Sequence, residues 1–422
     1  MSFDFRQFTT TFEQLYGSDA RVLEKQFQRY ENLYRTYVRH FGEAEFHVLS
    51  TPGRTELSGN HTDHNHGKVL AASIDKDSIA VCGRNANNVI RLYSEGYANP
   101  FEVDLHNLEM VENEKESTTA LLRGIAARFV ELGYNIGGFN ACITSDVLPG
   151  SGLSSSASIE ILIGNILNVL LNNGEIAPEE LAKTGQFAEN NYFGKPCGLM
   201  DQLACAIGGI IAIDFADPAM PQVEKINFDF TETGYRLLVV NTGGSHADLT
   251  NDYASIPAEM KAVAQFFGAD YLRQVSEKNV LDQMNEVRKH AGDRAVLRAL
   301  HFLQENQRVE EQVAALQDGN LEKFLELVKH SGDSSFKWLQ NIYSPSNDQE
   351  QGITLALALA EKFIHEFGEG ACRIHGGGFA GTILAFLPLK AVAQFRKSLE
   401  PVFGAANIEE LTIRQVGTTS IV

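Results

Sequence analysis

Basic side chains are scarce in this sequence: 35 lysines and arginines stand against 54 aspartates and glutamates in 422 residues, for a formal net charge of −19. A chain of that sign repels nucleic acid and anionic membrane, so neither is an expected partner. Any bound polyphosphate would need local help from Mg²⁺, helix N-termini and a few placed cations. Cysteine is also sparse. The five residues Cys82, Cys142, Cys197, Cys205 and Cys372 are odd in number, scattered and without a CxxC pair. That excludes a disulfide framework and favours a reducing compartment, so a cytoplasmic location is expected. Long apolar runs are missing. The longest, Ile161 to Leu171, is broken by Asn165 and Asn168, too short to span a bilayer, and reads as a buried helix. Met1 to Tyr16 has no basic stretch leading into an apolar run, so no signal peptide is expected. Repeats and low-complexity segments are absent.

What remains is ordinary globular composition, 44% hydrophobic and 21% charged. The length suits two domains sharing a cleft. Val22–His40 has helical spacing of Leu23, Phe27, Tyr30, Tyr34 and Val38. Short β-forming runs follow at Phe46–Ser50, Val69–Ile74, Ser78–Cys82, Val89–Ser94 and Phe139–Thr144, with a helix predicted over Thr118–Leu132 behind the cap Ser117. The apolar helix ends near Gly174, another begins at Pro178, and Ile207–Phe215 reads as strand. At Asp217–Pro221 the composition shifts, which suggests domains 1–220 and 221–422. Beyond it lie a strand at Leu237–Asn241, a helical stretch over Pro257–Gln340, a helix over Gly352–Phe367, and strands at Thr382–Leu387 and Thr412–Val416. Without regular β-α-β alternation the expected class is α+β.

Four segments could carry chemistry. In Pro149–Ser158, PGSGLSSSAS, glycines let a backbone approach a ligand, the following helix offers free N–H groups, and the serines can bind phosphate oxygens or Mg²⁺. A flexible Gly/Ser loop is the plainer reading. No Gly-Lys-Ser/Thr makes it a Walker loop, and no HRD or DFG set makes it a protein-kinase loop. In Thr51–Gly67, Arg54, Glu56, Asn60, His61, Asp63, His64, Asn65 and His66 crowd a polar stretch between strands. So many directional donors and acceptors suit a polyhydroxylated ligand, with a histidine metal site and a solvated turn as rivals. Cys197–Leu203 sets Asp201 and Gln202 among apolar residues just before a strand, where a carboxylate could be a base, an orienting group, a helix cap or a paired core acid. Arg373–Gly381 carries three consecutive glycines before a buried strand, for close approach to a ligand or a tight turn.

In this order the segments resemble the galactokinase branch of the GHMP small-molecule kinases. PGR at 52–54 with HTD at 61–63 is similar to that family's first motif, PGSGLSSSAS to its phosphate-binding second motif, CGLMDQ at 197–202 to its catalytic-aspartate segment, and HGGGFAG at 375–381 to its third motif. The likeness spans residues 52 to 381. It implies a two-domain fold with the active site in the cleft between domains, and ATP with Mg²⁺. Asp201 would face the anomeric hydroxyl as base or electrostatic partner, with Arg54 stabilising the attacking oxygen and the transferring phosphoryl. Asn60, His61, Asp63, Gly198 and Tyr253 would hold the sugar. Gly150, Gly152, Ser154, Ser155 and Ser156 would cradle the phosphates, and Ser156 with Glu189 would hold Mg²⁺. A monomer or weak homo-oligomer is expected, with galactose as the first candidate substrate.

The chain also departs from the family. Asn60 stands where glutamate is usual, Thr55–Glu56 where Val-Asn is usual, and His375 where threonine is usual. If the first segment is a strand, Arg54 and Glu56 share a face, and Glu56 would return a carboxylate to the site. N-acetylgalactosamine, arabinose and galacturonate are alternative substrates, and a sugar sensor without turnover is the alternative to an enzyme.

Overall fold

The computed structural model describes residues 3–147, 150, 152–244 and 249–422. The chain opens with helices α1 (Thr9–Tyr16) and α2 (Ala20–Phe41), then enters the long strands β1 (His47–Ser58) and β2 (Lys68–Arg84). Strands β3 (Val89–Ser94) and β4 (Phe101–Asp104), helix α3 (Thr118–Glu131) and strand β5 (Phe139–Ser145) follow. Helices α4 (Ser155–Leu171), α5 (Pro178–Ala188) and α6 (Met200–Ile207) lead to β6 (Ile210–Asp214), β7 (Gln222–Ile226) and β8 (Tyr235–Asn241). A helical group comes next: α7 (Thr250–Phe266), α8 (Glu277–Asp282), α9 (Met284–Ala291), α10 (Asp293–Gln317) and α11 (Leu321–Ser334). The chain closes with α12 (Gly352–Phe367), β9 (Ala371–His375), β10 (Thr382–Pro388), α13 (Leu389–Phe403), β11 (Ile408–Leu411) and β12 (Thr419–Ser420).

Eight strands form one sheet, in the order β12-β1-β2-β5-β3-β4, with β6 on β2 and β7 on β6. Only the β3–β5 pair is parallel. The other sheet has the order β11-β8-β10-β9 and is antiparallel throughout. Strand alternation sets the layers. Ala80 and Cys82 of β2 face α3 to α6, while Ile79 and Val81 face α1 and α2. Farther along the same strands, Leu57, Leu70 and Ala72 pack on Leu237, Val239 and Phe386 of the other sheet and on Val309 and Phe324 of α10 and α11. The opposite face of that sheet, Leu238, Val240 and Ile383, buries against α12 and α13. The hinge in this design is the irregular pairing near Pro52: Pro52 faces Asp77, but Arg54 faces Ser73. The extra residues let one pair of strands serve two cores.

Several elements differ from the sequence reading. Thr51–Ser58, read as part of a polar connection, is the last two thirds of β1 and wholly buried. Arg54 and Glu56 border a cavity, while Thr51, Thr55 and Ser58 bond Thr418, His375 and Glu305, so a buried strand has the composition of a loop. Val69–Ile74 and Ser78–Cys82 are one strand, β2. Asp201 and Gln202 lie in the helix α6, before the strand β6, which is shorter than the Ile207–Phe215 expected. The helical stretch expected from Pro257 begins at Thr250, with Pro257 inside α7. The strand expected over Thr412–Val416 lies earlier, at Ile408–Leu411, with one further bridge at Ile413 to Ile74. Pro149 and Ser151 of the glycine-serine segment lie outside the described residues.

Candidate active site

The strand β1 and the helix α6 meet through one ion pair. Arg54 donates from Nε to Asp201 Oδ1 at 2.7 Å and from Nη2 to Asp201 Oδ2 at 2.8 Å. Two parallel bonds of this kind fix geometry as well as charge. Arg54 Nη1 donates to the carbonyl of Gly152, and Ser154 Oγ donates to Asp201 Oδ2. Burial pushes the Asp201 carboxyl up, but the Arg54 guanidinium and the hydrogen bonds from Arg54 and Ser154 outweigh it and hold it below the usual carboxylate range. Asp201 is therefore ionised at neutral pH.

On one side of this pair is a cavity of about 270 Å³. Arg54, Glu56, Asn60, His61, Asp63, Lys195, Gly198, Asp201 and Tyr253 all border it, with Gly376 and Gly377. Arg54 and Glu56 thus share a face of β1, as strand alternation requires. His61 donates from Nε2 to the Gly377 carbonyl at 2.7 Å, since a carbonyl can only accept. Nδ1 is left as an acceptor, because burial lowers the ring's pKa to about 4 and keeps it neutral. Asp63 packs against Gly198, where any Cβ would overlap Asp63 Oδ2. Tyr253 donates to the Gly378 carbonyl at 2.7 Å. The histidines of the first segment diverge, with His61 on Gly377 and His66 stacked on Tyr271, so they do not converge on a metal.

Asn60 is 1% exposed, and its carboxamide is fully engaged by protein. Nδ2 donates to Glu56 Oε1 at 3.0 Å and to the Gly376 carbonyl at 2.7 Å, while Oδ1 accepts from Asn341 Nδ2 at 2.8 Å and Ser335 Oγ at 3.4 Å.

On the other side of the pair lies the head of α4. Ser154 precedes it in a left-handed conformation, and its hydroxyl goes to Asp201 instead of capping the helix. The first-turn amides, at Ser155 and Ser156, are left uncapped by any side chain among the described residues, at the positive end of a 17-residue dipole. Gly150 and Gly152 both have positive φ, 75° and 74°. Behind this turn is a buried oxygen cluster. Gln202 Nε2 donates to Glu160 Oε2 at 2.9 Å and to Glu189 Oε2 at 3.1 Å. Glu160 Oε1 and Gln202 Oε1 have no hydrogen-bond partner among the described residues. Burial, and then repulsion from Glu189, raises the Glu160 carboxyl well above its ordinary range. Among the described residues the one cation in ion-pair distance of this cluster is Lys195, 3.5 Å from Glu189 Oε1. A buried set of hard oxygens short of positive charge fits a divalent cation such as Mg²⁺.

Residues outside the four segments hold the first one in place. Glu305 of α10 accepts from Ser58 Oγ and the Gly59 N–H, both at 3.1 Å, and from Ser331 Oγ at 2.6 Å. Burial pushes its carboxyl up, but Arg308, His301 and Arg373 together bring it down to about 2. His301 Nε2 donates to the Asn60 carbonyl at 3.0 Å. Within an ordinary amphipathic helix, Glu305 and His301 carry no local signal. Arg373 and His375 lie inside the fourth segment. Arg373 donates to the Leu57 carbonyl at 2.8 Å and to Glu56 Oε1 at 3.1 Å. His375 Nε2 accepts from the Glu56 N–H at 3.2 Å.

A strand-borne arginine on a helix-borne carboxylate, between a polar cavity and an uncapped helix head, suits phosphoryl transfer to a small polar substrate. The model of the GHMP kinases N terminal domain matches residues 120–209. The galactokinase galactose-binding signature matches residues 35–84. The chain is 31% identical over 371 residues to a galactokinase of Glaesserella parasuis, covering 86% of this chain and 90% of that protein. It is 31% identical over 368 residues to a galactokinase of Streptomyces coelicolor, with the same coverage. The solved Lactococcus lactis galactokinase, complexed with galactose, superposes with a TM-score of 0.78 at 27% identity over 92% of this chain and 98% of that one. Mevalonate kinase of Methanococcus jannaschii shares the fold, with a TM-score of 0.61 at 17% identity over 88% and 99%. The chain belongs to the galactokinase family, ATP-dependent sugar kinases.

Proposed function

We propose that this chain transfers the γ-phosphate of ATP to the anomeric hydroxyl of galactose, giving galactose 1-phosphate and ADP. The observation that carries the reading is the Arg54–Asp201 pair, set between the polar cavity and the open head of α4. Phosphoryl transfer asks a protein mainly for positioning and charge neutralisation. In this reading His61, Asp63, Gly198 and Tyr253 frame the sugar, with its anomeric hydroxyl toward Asp201. Asn60, with no free hydrogen-bonding position, supports the frame from behind. Asp201 accepts the hydroxyl's hydrogen bond and takes the proton as the oxygen attacks. Arg54, already between Asp201 and the Gly152 carbonyl, offsets negative charge on the incoming phosphoryl group. Gly150, Gly152, Ser154, Ser155 and Ser156 cradle the phosphates at the helix head.

Ser156 and Glu189 would hold Mg²⁺, and the oxygen cluster of Glu160, Glu189 and Gln202 supports that assignment. The ion supplies charge neutralisation for the β- and γ-phosphates when bound. A division at residues 1–220 and 221–422 and a cytoplasmic location belong to the same reading. All five cysteines are free, and no helix among the described residues is long and apolar enough to cross a membrane.

The test is ADP release dependent on ATP and Mg²⁺ across galactose, N-acetylgalactosamine, arabinose, galacturonate, glucose and mevalonate. Turnover favouring galactose is the expected result. Preference for another sugar would replace the substrate, and sugar binding without turnover of any would replace the enzyme with a sensor.

A further inference from the structure

The chain has a carboxylate in the sugar cavity that none of the assigned roles uses. Glu56 borders the cavity, yet its side chain is only 7% exposed. Its backbone is pinned by the N–H bond to His375 Nε2. Oε1 is committed twice, to Arg373 Nη2 at 3.1 Å and to Asn60 Nδ2 at 3.0 Å. Oε2 has no hydrogen-bond partner among the described residues, although a carboxylate oxygen accepts from two directions. An acceptor held in orientation by its neighbours, with one oxygen open on the cavity, is placed to receive a ligand hydroxyl.

Its neighbours cannot take over the task. Both amide hydrogens and both acceptor positions of Asn60 are in use. Arg373 is fully buried and pairs with no acid other than Glu56 among the described residues, so Glu56 is its counterion. Burial raises the Glu56 carboxyl above its ordinary range, and Arg373 and Arg54 offset only part of that rise.

We propose that Glu56 accepts a hydroxyl of the neutral sugar through Oε2 and is thereby a specificity-determining residue of this site. This rests on the sugar-kinase reading above and names the class of ligand it takes. A sugar offering a hydroxyl at that point completes the carboxylate. A deoxy sugar leaves it bare, and a uronic acid with its carboxylate there is repelled. Sites built around a substrate hydroxyl discriminate strongly against analogues that lack it.

The competing explanation is that Glu56 only neutralises Arg373. Calorimetric binding of galactose, its monodeoxy analogues and galacturonate to the full chain and to Glu56→Gln separates the two. The wild-type chain should lose about 10- to 100-fold in affinity for one particular monodeoxy sugar, the gap expected for a hydrogen bond to a charged group. Glu56→Gln should bind galactose about 10- to 100-fold more weakly, and removal of that same hydroxyl should then cost almost nothing more. The other deoxy positions should keep their penalties. If every penalty is the same in both chains and only thermal stability falls, Glu56 is a counterion and the proposal fails. Should Glu56→Gln not fold, Glu56→Asp keeps the charge, withdraws the oxygens and is read the same way. Wild-type binding of galactose without turnover fails the kinase reading alone and leaves the deoxy comparison to decide this one. No sugar binding at all overturns both.

Discussion

His375 Nδ1 stands 2.9 Å from Thr382 Oγ1, its register partner on the neighbouring strand. The other ring nitrogen accepts from the Glu56 N–H, so Nδ1 carries the ring's only proton and donates it to Thr382. A neutral histidine thus bridges β10 and β1. It ties the glycine-rich turn to the strand that presents Arg54 and Glu56.

That bridge gives stability a pH dependence. Burial first, then Arg54 and Arg373, hold His375 well below its ordinary pKa. In the unfolded chain the ring takes a proton near pH 6.5, as an ordinary histidine does. Below that pH the unfolded state binds more protons, so this contribution is complete above about pH 6.5 and is lost as the pH falls. His375→Asn should be less stable at pH 7, and the gap to wild type should narrow by up to about 2 kcal/mol on going to pH 5. Denaturant midpoints at the two pH values measure it. A constant gap would mean the ring is not held neutral.

Asp201→Asn keeps the shape of the carboxylate and removes its charge and basicity. Turnover should fall by about 10²- to 10⁴-fold, the usual range for a positioned acid–base group. In the proposed reading ATP docks at the head of α4 and not on Asp201, so its dissociation constant should stay within about 3-fold. Steady-state kinetics and nucleotide titration check the two halves separately. Undiminished turnover would remove Asp201 from its role.

Gly152 joins the turn before α4 to this framework. Its φ of 74° is one that side chains rarely adopt, and a Cβ there would stand 2.6 Å from Thr382 Oγ1 and 3.0 Å from His375 Nδ1. Its carbonyl also receives Arg54 Nη1. Gly152→Ala should cost about 1–3 kcal/mol through backbone strain. It should also raise the KM for ATP more than that for sugar, because the turn and not the cavity is displaced. Thermal unfolding and the two KM values together test this. Equal rises in both would place the turn's influence elsewhere.

Much of this site is legible in the sequence because its polar and glycine residues interrupt β-forming or apolar runs. Arg54, Gly152, Ser154 and Asp201 all lie in such interruptions, and the structure brings them into direct contact. Two things hide the rest. First, the polar side chains of β1 from Thr51 to Ser58 are buried, Arg54 and Glu56 at the cavity and Thr51, Thr55 and Ser58 on protein partners, so a strand reads as a loop. Likewise α6, ended after eight residues by Gly208, is too short to show a period. Second, the supports are remote. Glu305, His301 and Asn341 act on residues 58–60 from more than two hundred positions away, and their own helices and turns look ordinary. No local pattern encodes a contact made only in the folded chain.

The last prediction concerns the outer face of the large sheet. Asp77 is completely buried and accepts from Arg29 Nη1 at 2.6 Å, Arg414 Nη1 at 3.1 Å and the Tyr16 hydroxyl at 2.5 Å, and also from Ser50 Oγ. One carboxylate thereby joins the N-terminal helices, both long strands and the segment before β12. Burial pushes its pKa up, but Arg29 and Arg414, with Ser50 and Tyr16, bring it below the ordinary value. Its contribution is present above about pH 4 and lost as the pH falls below it. Asp77→Ala leaves the buried Arg414 without its acid and Arg29 with only Asp146, which should cost about 3–5 kcal/mol. Because none of these groups borders the cavity beside Arg54 and Asp201, the folded fraction should keep its KM for sugar and for ATP. Chemical denaturation combined with active-site titration checks both parts. A variant with unchanged stability would show that the two arginines find other compensation, and a shifted KM would show that the outer face reaches the site through the bulge at Pro52–Arg54.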